Sequence, residues 1–428
     1  NMKLAIVIFR DNLRIDDNHC LFNACNENDY VLGLYSLELL KGEIFDFKKC
    51  DIFREKLIKE SLLCLKTNLL KYDINLSIVD DIEQSLKELS GSYEITIYYD
   101  EEVGTEEKSF EKKLQKYPYK SFFSQTMIEP FVFDYKKSFS HFRNKAEKIE
   151  IQKLLDKIFR KKTIEFKSLD IKIPTVSIQS SNAIVFKGGE DEALKQLEMY
   201  LPKIHEYKST RNEMSGFDNS TKFSAYLAIG CISPRRIYHE IKIQEEKTYK
   251  SDSSYWIYFE LLWRDFFYLV MKYSGNKLFL KSGIKEINYN FRKDEKSLKS
   301  FFNASTGVDL IDASINELKS SAWLSNRNRQ IVASYFVKNL GLDWRIGAAF
   351  FESLLVDYNP ASNYGNWAYQ SHVGNDSSYR IFDIERQTQM YNGKDYINKW
   401  LNKEKSKENI DYRTMGEVVK KEVFFESE

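Results

Sequence analysis

The chain has 428 residues, 43% apolar and 30% charged, the balance of an ordinary globular protein of two or three domains. Its net charge of +1 gives no global field that advertises nucleic acid, although lysine and glutamate can still segregate by face. No apolar run approaches the ~20 residues of a membrane span. The five cysteines (Cys20, Cys25, Cys50, Cys64, Cys231) show neither C-x-x-C nor zinc spacing. Reduced, mostly buried thiols in a cytoplasmic protein are therefore expected. The N-terminus runs straight into a strand-like segment, with no signal or transit pattern.

In chain order, residues 3–9 (KLAIVIF) read as a strand buried on both faces. Strand-like runs recur at Val31–Tyr35, Ile74–Val79 and Ile95–Tyr99. Between the second and third, Asp51–Leu70 carries Ile52, Leu57, Leu62, Leu65 and Leu69 at helical spacing. Such alternation predicts a doubly wound parallel sheet, an α/β domain over residues 1–130. Residues 131–187 read as a connector, in which a charged helix over about Phe139–Phe159 passes into the lysine-rich, solvated Lys161–Pro174. From Gly188 the segments 190–201, 233–247, 254–273, 297–302, 309–320, 326–340 and 343–356 all have helical character. No strand stands out among them, so residues 188–428 are expected to form an all-α domain.

All six tryptophans lie from Trp256 onward. Four segments of that half carry chemistry. In 207–235 the polar loop DNSTKFS places Ser220, Thr221 and Ser224 before a helical stretch, Ala225–Ile229. Hydroxyls and free N–H groups at a helix start suit phosphate oxygens, and equally suit capping by Ser220 or Thr221. In YWIYFELLWRDFFY (255–268), Glu260, Trp263, Arg264 and Phe267 share one helix face. Glu260 and Arg264 are spaced for an i,i+4 ion pair. Trp256, Phe259 and Phe266 bury much of this helix, and a buried pair needs further partners, such as a ligand's donors and acceptors.

In WLSNRNRQ (323–330), Asn326, Arg329 and Gln330 share a face. It is either an exposed polar first turn or a buried face with hydrogen bonds to make, and Gly341 supplies the helix stop. Finally, Asp343 is a candidate N-cap for a helix that Asp357 closes, and a turn comes next at Asn359-Pro360. The stretch Asp357–Tyr369 (DYNPASNYGNWAY) is dense in carboxamides and aromatic rings. Buried polar groups need partners, so it points to a pocket for a large, flat, polar ligand. The five histidines (His19, His141, His205, His239, His372) form no catalytic pair, and His372 reads as a surface residue.

Taken in order, FRDNLRIDDN (9–18), TRN…NSTKFS, ELLWRDFF, SNRNRQ, GLDWR and DY…SNYGNW resemble the photolyase/cryptochrome family over nearly the whole chain. SNRNRQ and SNYGNWAY resemble its DASH cryptochrome branch in particular. The resemblance implies a helical domain holding FAD in a U-shaped conformation. It implies that Tyr207, Ser220, Thr221, Phe223 and Ser224 hold the diphosphate and ribityl portion. Glu260, Trp263 and Arg264 would line the adenine–flavin pocket and lesion cavity, with Asn326, Arg327 and Arg329 near flavin and DNA. Asp357 would meet the isoalloxazine edge and Asn363 would face flavin N5. Trp367 and Trp344 would be the inner and middle members of an electron relay, and Trp263, Arg327, Gln330 and Tyr369 would face DNA.

Three positions depart from the family pattern. The outer relay tryptophan aligns with Phe291, so the relay stops at Trp344 or uses Tyr289. Asn359 stands where the family usually has a second aspartate, which bears on how the adenine half or the ribose is held. Tyr369 replaces one lesion-sandwiching tryptophan, as in DASH proteins.

The implied activity is blue-light-driven, FAD-dependent repair of cyclobutane pyrimidine dimers, preferentially in single-stranded DNA, by a monomer without a metal. Catalysis would rest on Glu260, Asn326 and Asn363, with Asn326, Arg329, Asp357 and Asn359 also at the cofactor. The absence of histidine at Asn326 and Gln330 disfavours repair of (6-4) photoproducts. The alternative is a flavin photoreceptor with little repair activity. The charged segment after Trp400 counts against an effector tail and leaves RNA binding open. A thermal flavin oxidoreductase is disfavoured because no G-x-G-x-x-G is present. A methenyl folate antenna between the domains is the branch's second chromophore, but Ser124–Phe133 is short for it and yields no ligands.

Overall fold

The structure, a computed structural model, describes residues 1–401; the charged tail from residue 402 lies outside the described residues. Strands β1 (Lys3–Ile8) and β2 (Val31–Ser36) lead, a small antiparallel hairpin of β3 (Glu43–Ile44) and β4 (Phe47–Lys48) comes next, and β5 (Asn75–Val79), β6 (Glu94–Asp100) and β7 (Tyr119–Phe122) complete the set. The main sheet has the order β5-β2-β1-β6-β7 and is parallel throughout, with Ala5 registered between Val31 and Thr96. Helices α1 (His19–Glu27), α2 (Ile52–Leu70), α3 (Ile82–Ser92) and α4 (Thr105–Leu114) cover its faces.

The period-2 alternation of β1 explains the two layers. Ala5, Val7 and Phe9 pack with Leu21 of α1, with Leu62 and Leu69 of α2 and with the helical part. Leu4, Ile6 and Ile8 point to the other face, against Leu86 and Leu89 of α3 and Leu114 of α4. The predicted parallel sheet is thus present, with three more helices than periodicity revealed. All five cysteines are free thiols.

The connector corrects the sequence reading. The charged helix stops as α5 (Phe139–Ala146) and does not reach Phe159. Beyond it the chain becomes an extended strap along the free edge of β5. Thr163 Oγ1 accepts from Asn75 N (3.2 Å), Ser168 Oγ accepts from Ile78 N (3.0 Å), and Leu169 N donates to Ile78 O (2.8 Å). An edge strand with unpaired amides invites wrong partners, and the lysine-rich strap covers it.

The remaining described chain is helical: α6 (Glu190–Tyr200), α7 (Tyr207–Thr210), α8 (Ser224–Ala228), α9 (Pro234–Lys247), α10 (Asp252–Ser274), α11 (Glu295–Phe302), α12 (Asp309–Ser321), α13 (Asn326–Ser334), α14 (Trp344–Leu354), α15 (Pro360–Gln370), α16 (Ile384–Met390) and α17 (Gly393–Trp400). A π-helical turn, Tyr335–Asn339, extends α13 before Gly341 (φ +69°) ends it. No helix among the described residues is long and apolar enough to cross a membrane.

The loop after β1, part of FRDNLRIDDN, fastens the two halves. Asp17 pairs with Arg235 of α9 at 2.8 Å, both side chains buried, and Arg14 donates to Gly230 O at 3.0 Å. Gly230 has φ +69°, and a Cβ there would overlap Asp11 O, so only glycine permits this approach.

Candidate functional site

Helices α7, α8, α10, α13 and α15 surround a cavity of about 550 Å³. The longest wall is α10, started by a Ser251–Ser254 capping box and ended at Gly275 (φ +64°). Glu260, Trp263, Arg264 and Phe267 all line the cavity, as their spacing required. The i,i+4 pair does not form. Glu260 binds Arg211, just past α7, and the Arg211 guanidinium lies 4.6 Å above the Trp256 ring. Arg264 turns to Gln125 O at 2.5 Å and lies 4.8 Å over Tyr268. Burial raises the Glu260 carboxyl above its ordinary range, and the charge of Arg211 opposes that rise. Trp263 stacks on Phe139 at 3.9 Å and meets Tyr369 edge-on at 6.0 Å.

Ser325 caps α13 by accepting from Asn328 N at 3.2 Å. Asn326, Arg327, Arg329 and Gln330 all reach the cavity, with Asn326 exposed at its mouth and not buried. Arg329 grips Asp357 with two bonds of 2.9 and 2.7 Å and donates its Nε to Leu324 O at 2.8 Å. Arg327 donates to Asn212 at 3.1 Å.

Most of the stretch rich in carboxamides is a helix that sequence periodicity did not reveal. α15 begins with Pro360 in its first turn and Asn359 as cap, accepting from Ser362 N at 3.2 Å. Asn359 also donates to the Tyr268 hydroxyl at 2.5 Å, which an aspartate could not do. Asn363 donates to Ala348 O at 2.9 Å, leaving its oxygen as the remaining acceptor. Trp367 lines the cavity and its buried indole N–H has no partner among the described residues. Trp344 does not line it. That ring is fully buried and donates to Lys281 O at 3.0 Å.

In the polar loop, Tyr207, Thr221, Phe223 and Ser224 line the cavity, but Ser220 does not; its hydroxyl accepts from Lys222 Nζ at 2.6 Å. Neither Ser220 nor Thr221 caps α8, whose N-cap is Phe223. Lys222 was not anticipated. Its ammonium is buried 4.5 Å over Trp323, and burial lowers it to about 7. Arg211, Asn212, Tyr358 and Asn366 were missed as well. The signal for Arg211 was present: a half-buried Glu260 on a largely apolar helix calls for a cation, and TRN supplies one. His372 is half-buried and paired with Asp376, which corrects its surface reading. Among the described residues no cluster suits a metal ion.

The residues fit FAD. The cavity is roomy, walled by aromatic rings, and carries four arginines against two carboxylates, a balance that suits a diphosphate. The unpartnered Trp367 indole and the spare Asn363 oxygen await polar partners.

A second cavity, about 590 Å³, opens where β1, β2, β5 and β6 end, at the reversal of strand order. Eight carboxylate residues and four cationic ones line it. Burial pushes Asp11 there up to about 7, and raises Glu102 as well.

Comparisons with known proteins agree with this geometry. The family model described as DNA photolyase matches residues 5–160, and that described as FAD binding domain of DNA photolyase matches residues 256–420. The chain is 34% identical to Cryptochrome DASH of Synechocystis sp. over 93% of its own length and 87% of the relative's. It is similar to the crystal structure of Synechocystis sp. PCC6803 cryptochrome, at TM-score 0.88 and 33% identity over 93% of this chain and 88% of that one. A class III photolyase from Agrobacterium tumefaciens is similar at TM-score 0.83 and 25% identity, over 94% and 86%. With such likeness along nearly all of its length, this chain belongs to the photolyase/cryptochrome family, and relatives named Cryptochrome DASH match it at 34% identity over 93% of its length.

Proposed function

We propose that the protein repairs cyclobutane pyrimidine dimers under blue light, preferring single-stranded DNA. The observation that carries this reading is one cavity lined jointly by the half-buried Glu260–Arg211 pair, Asn326, Asn363 and the Trp367 indole. FAD, bound in its reduced form, supplies the light-driven electron for ring opening and takes it back afterwards. The chain's own residues bind and orient. Tyr207, Thr221, Phe223 and Ser224 would hold the diphosphate and ribityl portion, while Ser220, whose hydroxyl is taken by Lys222, stands behind that wall. Asp357, held by Arg329, and the free carboxamide oxygen of Asn363 would hold the flavin ring, as a fixed acceptor pair on one wall. Glu260, its carboxyl raised by burial, and Asn326 hydrogen-bond the base edges of the dimer and stabilise charge that develops there. Arg327 and Gln330 lie at the mouth for the DNA strand, where phosphate contacts position the substrate.

Enzymes that act on a base take it out of the stack, photolyases among them. Trp263 has Phe139 against one face and meets only the edge of Tyr369, so the pocket offers a flipped dimer less stacking than two facing tryptophans. Less of the cost of opening a duplex is returned, and single strands are favoured. The second cavity suits an anionic antenna poorly: even setting aside Asp11 and Glu102, whose carboxyls burial raises, six carboxylate residues against four cations oppose a folate's glutamate tail. The test uses a dimer-containing oligonucleotide, single- and double-stranded, with reduced flavin-loaded protein in blue light and in darkness. Equal rates on the two substrates would defeat the strand preference. No repair of either would leave the light-sensing reading in its place.

A further inference from the structure

The family resemblance puts the outer relay member at Phe291; Tyr289 lies beside it, rings 5.8 Å apart, and no hydrogen bond of its phenol is seen among the described residues. Phenylalanine is a poor electron donor. A tyrosine with no hydrogen-bonded base is little better, since its oxidation needs somewhere to send the phenolic proton, and Asp376 acts on Tyr289 only through its charge. Inside the helical core the same chain holds a better arrangement.

Trp367 lines the large cavity, and its ring rests against Gly347 of α14, where a Cβ would overlap Cη2 and Cζ3. Trp344 lies one turn earlier on the same helix face. Both indoles are almost completely buried. On its other side Trp344 meets Tyr364 edge-on, ring centroids 6.3 Å apart. The Tyr364 hydroxyl donates to Glu352 Oε1 at 2.9 Å, and the Tyr358 hydroxyl donates to the same oxygen, also at 2.9 Å. Glu352 is fully buried.

Resting on the flavin reading above, we propose that Tyr364 is the electron donor that follows Trp344, with Glu352 as the base that takes its proton. The step balances. Photoexcited oxidised flavin is the oxidant, and the electron it takes leaves Trp344, by way of Trp367, as a radical cation. Tyr364 then gives one electron to Trp344 and its hydroxyl proton to Glu352. The products are neutral Trp344, a neutral tyrosyl radical and a protonated Glu352. Before the step a buried cation and a buried carboxylate face each other across Tyr364; after it both are neutral. Removing two separated charges from a low-dielectric core is the driving force. The Trp344 N–H points at a carbonyl, Lys281 O, which is a poor proton acceptor, so the tryptophan cation has no such relief of its own.

Tyr358 is the weaker candidate on the same carboxylate. The Arg54 guanidinium lies 4.8 Å over its ring and opposes positive charge there. Glu352 also faces the ammonium of Lys49, which favours the carboxylate and opposes its protonation, a cost that removal of the Trp344 cation has to outweigh.

The experiment illuminates full-length protein loaded with oxidised FAD, without added reductant, and freeze-traps it for electron paramagnetic resonance, with ring-deuterated tyrosine as the label. The expected result is a tyrosyl signal that narrows with the label, is lost in Tyr364→Phe, and survives in Tyr289→Phe and Tyr358→Phe. Glu352→Gln should also lose it, because an amide cannot take the proton. Phenylalanine at 364 keeps the ring packing on Phe279, so flavin content and melting temperature serve as folding controls. A tryptophanyl radical alone in the native protein, or loss of the tyrosyl signal in Tyr289→Phe, overturns the proposal. Failure to bind flavin at all, seen by absorbance, would instead refute the flavin reading beneath it.

Discussion

Asp357→Asn tests the cofactor cavity most directly. The Asp357 side chain is 1% exposed and that of Arg329 is 23% exposed, and two bonds of 2.9 and 2.7 Å join them across the cavity wall. Removing one partner of a buried pair costs about 3–5 kcal/mol. Asparagine keeps one acceptor, and Arg329 keeps Leu324 O, so the lower end, ~3 kcal/mol, is expected. At ~2–4 °C per kcal/mol for a domain of this size, melting of the flavin-free protein should fall by about 6–12 °C. The structure also sets an order. Arg329→Leu strands the deeper charge, a carboxylate with almost no water contact, so it should cost more than Asp357→Asn. The double variant should recover part of the loss, because no charge is then left unpaired. Flavin affinity, by fluorescence titration, should weaken about 10-fold or more in Asp357→Asn, matching the loss of one charge-assisted hydrogen bond. An Asp357→Asn protein more damaged than Arg329→Leu, or one with unchanged melting and affinity, would refute the reasoning.

Three further outcomes rest on particular contacts. Gly347→Ala gains ~1 kcal/mol of helix propensity but overpacks the Trp367 ring at about 1–3 kcal/mol, so melting should fall slightly while flavin photoreduction slows; unchanged photoreduction would remove Trp367 from the route. Glu317 is buried under the Tyr396 hydroxyl and burial raises it to about 8 from 4.5. A carboxyl raised on folding stabilises most below the unfolded value, and that stability is lost as pH climbs through the folded one. Native stability should therefore decline between about pH 4.5 and 8, and Glu317→Gln should flatten the decline by roughly 3–5 kcal/mol in denaturant titrations; a parallel profile would dismiss the assignment. For the acidic second cavity, titration with methenyl folate should show no complex, and the repair action spectrum should track flavin alone; saturable folate binding would contradict this.

The legible parts of the molecule were those governed by local spacing. Alternation in KLAIVIF announced a strand buried on both faces, and the 3.6-residue period of α10 put Glu260, Trp263, Arg264 and Phe267 on one wall. Local pattern does not carry the choice of partner. Glu260 has Arg264 within reach along the helix, yet takes Arg211, 49 residues earlier, because Arg264 is drawn to Gln125 O. The connector was misread for the same reason. Its helix reads on to Phe159 but ends at Ala146, and within the segment that reads as solvated surface Thr163 and Ser168 bond the open edge of β5, a partner local pattern does not show. α15 escaped notice because a helix of carboxamides and aromatic rings has no apolar stripe; its Asn359 cap and Pro360 start were the only local marks.

The choice of Arg211 over Arg264 has a consequence for substrate on the proposed reading. Arg211 is fixed twice, by Glu260 and by the Trp256 face, so it cannot leave cheaply when a base edge enters. A dimer must therefore share Glu260 with Arg211. The charge of Arg211 opposes the upward push of burial on this carboxyl, a group that accepts from a base N–H when ionised and donates to a carbonyl when protonated. That dual capacity suits a lesion whose two rings present both donors and acceptors. It also ties binding to pH. Substituting Arg211 with methionine should let burial dominate and push Glu260 higher still. Repair rate should then show its acidic-to-neutral transition at higher pH than in the native protein, and an unmoved transition would mean that Glu260 does not touch the dimer.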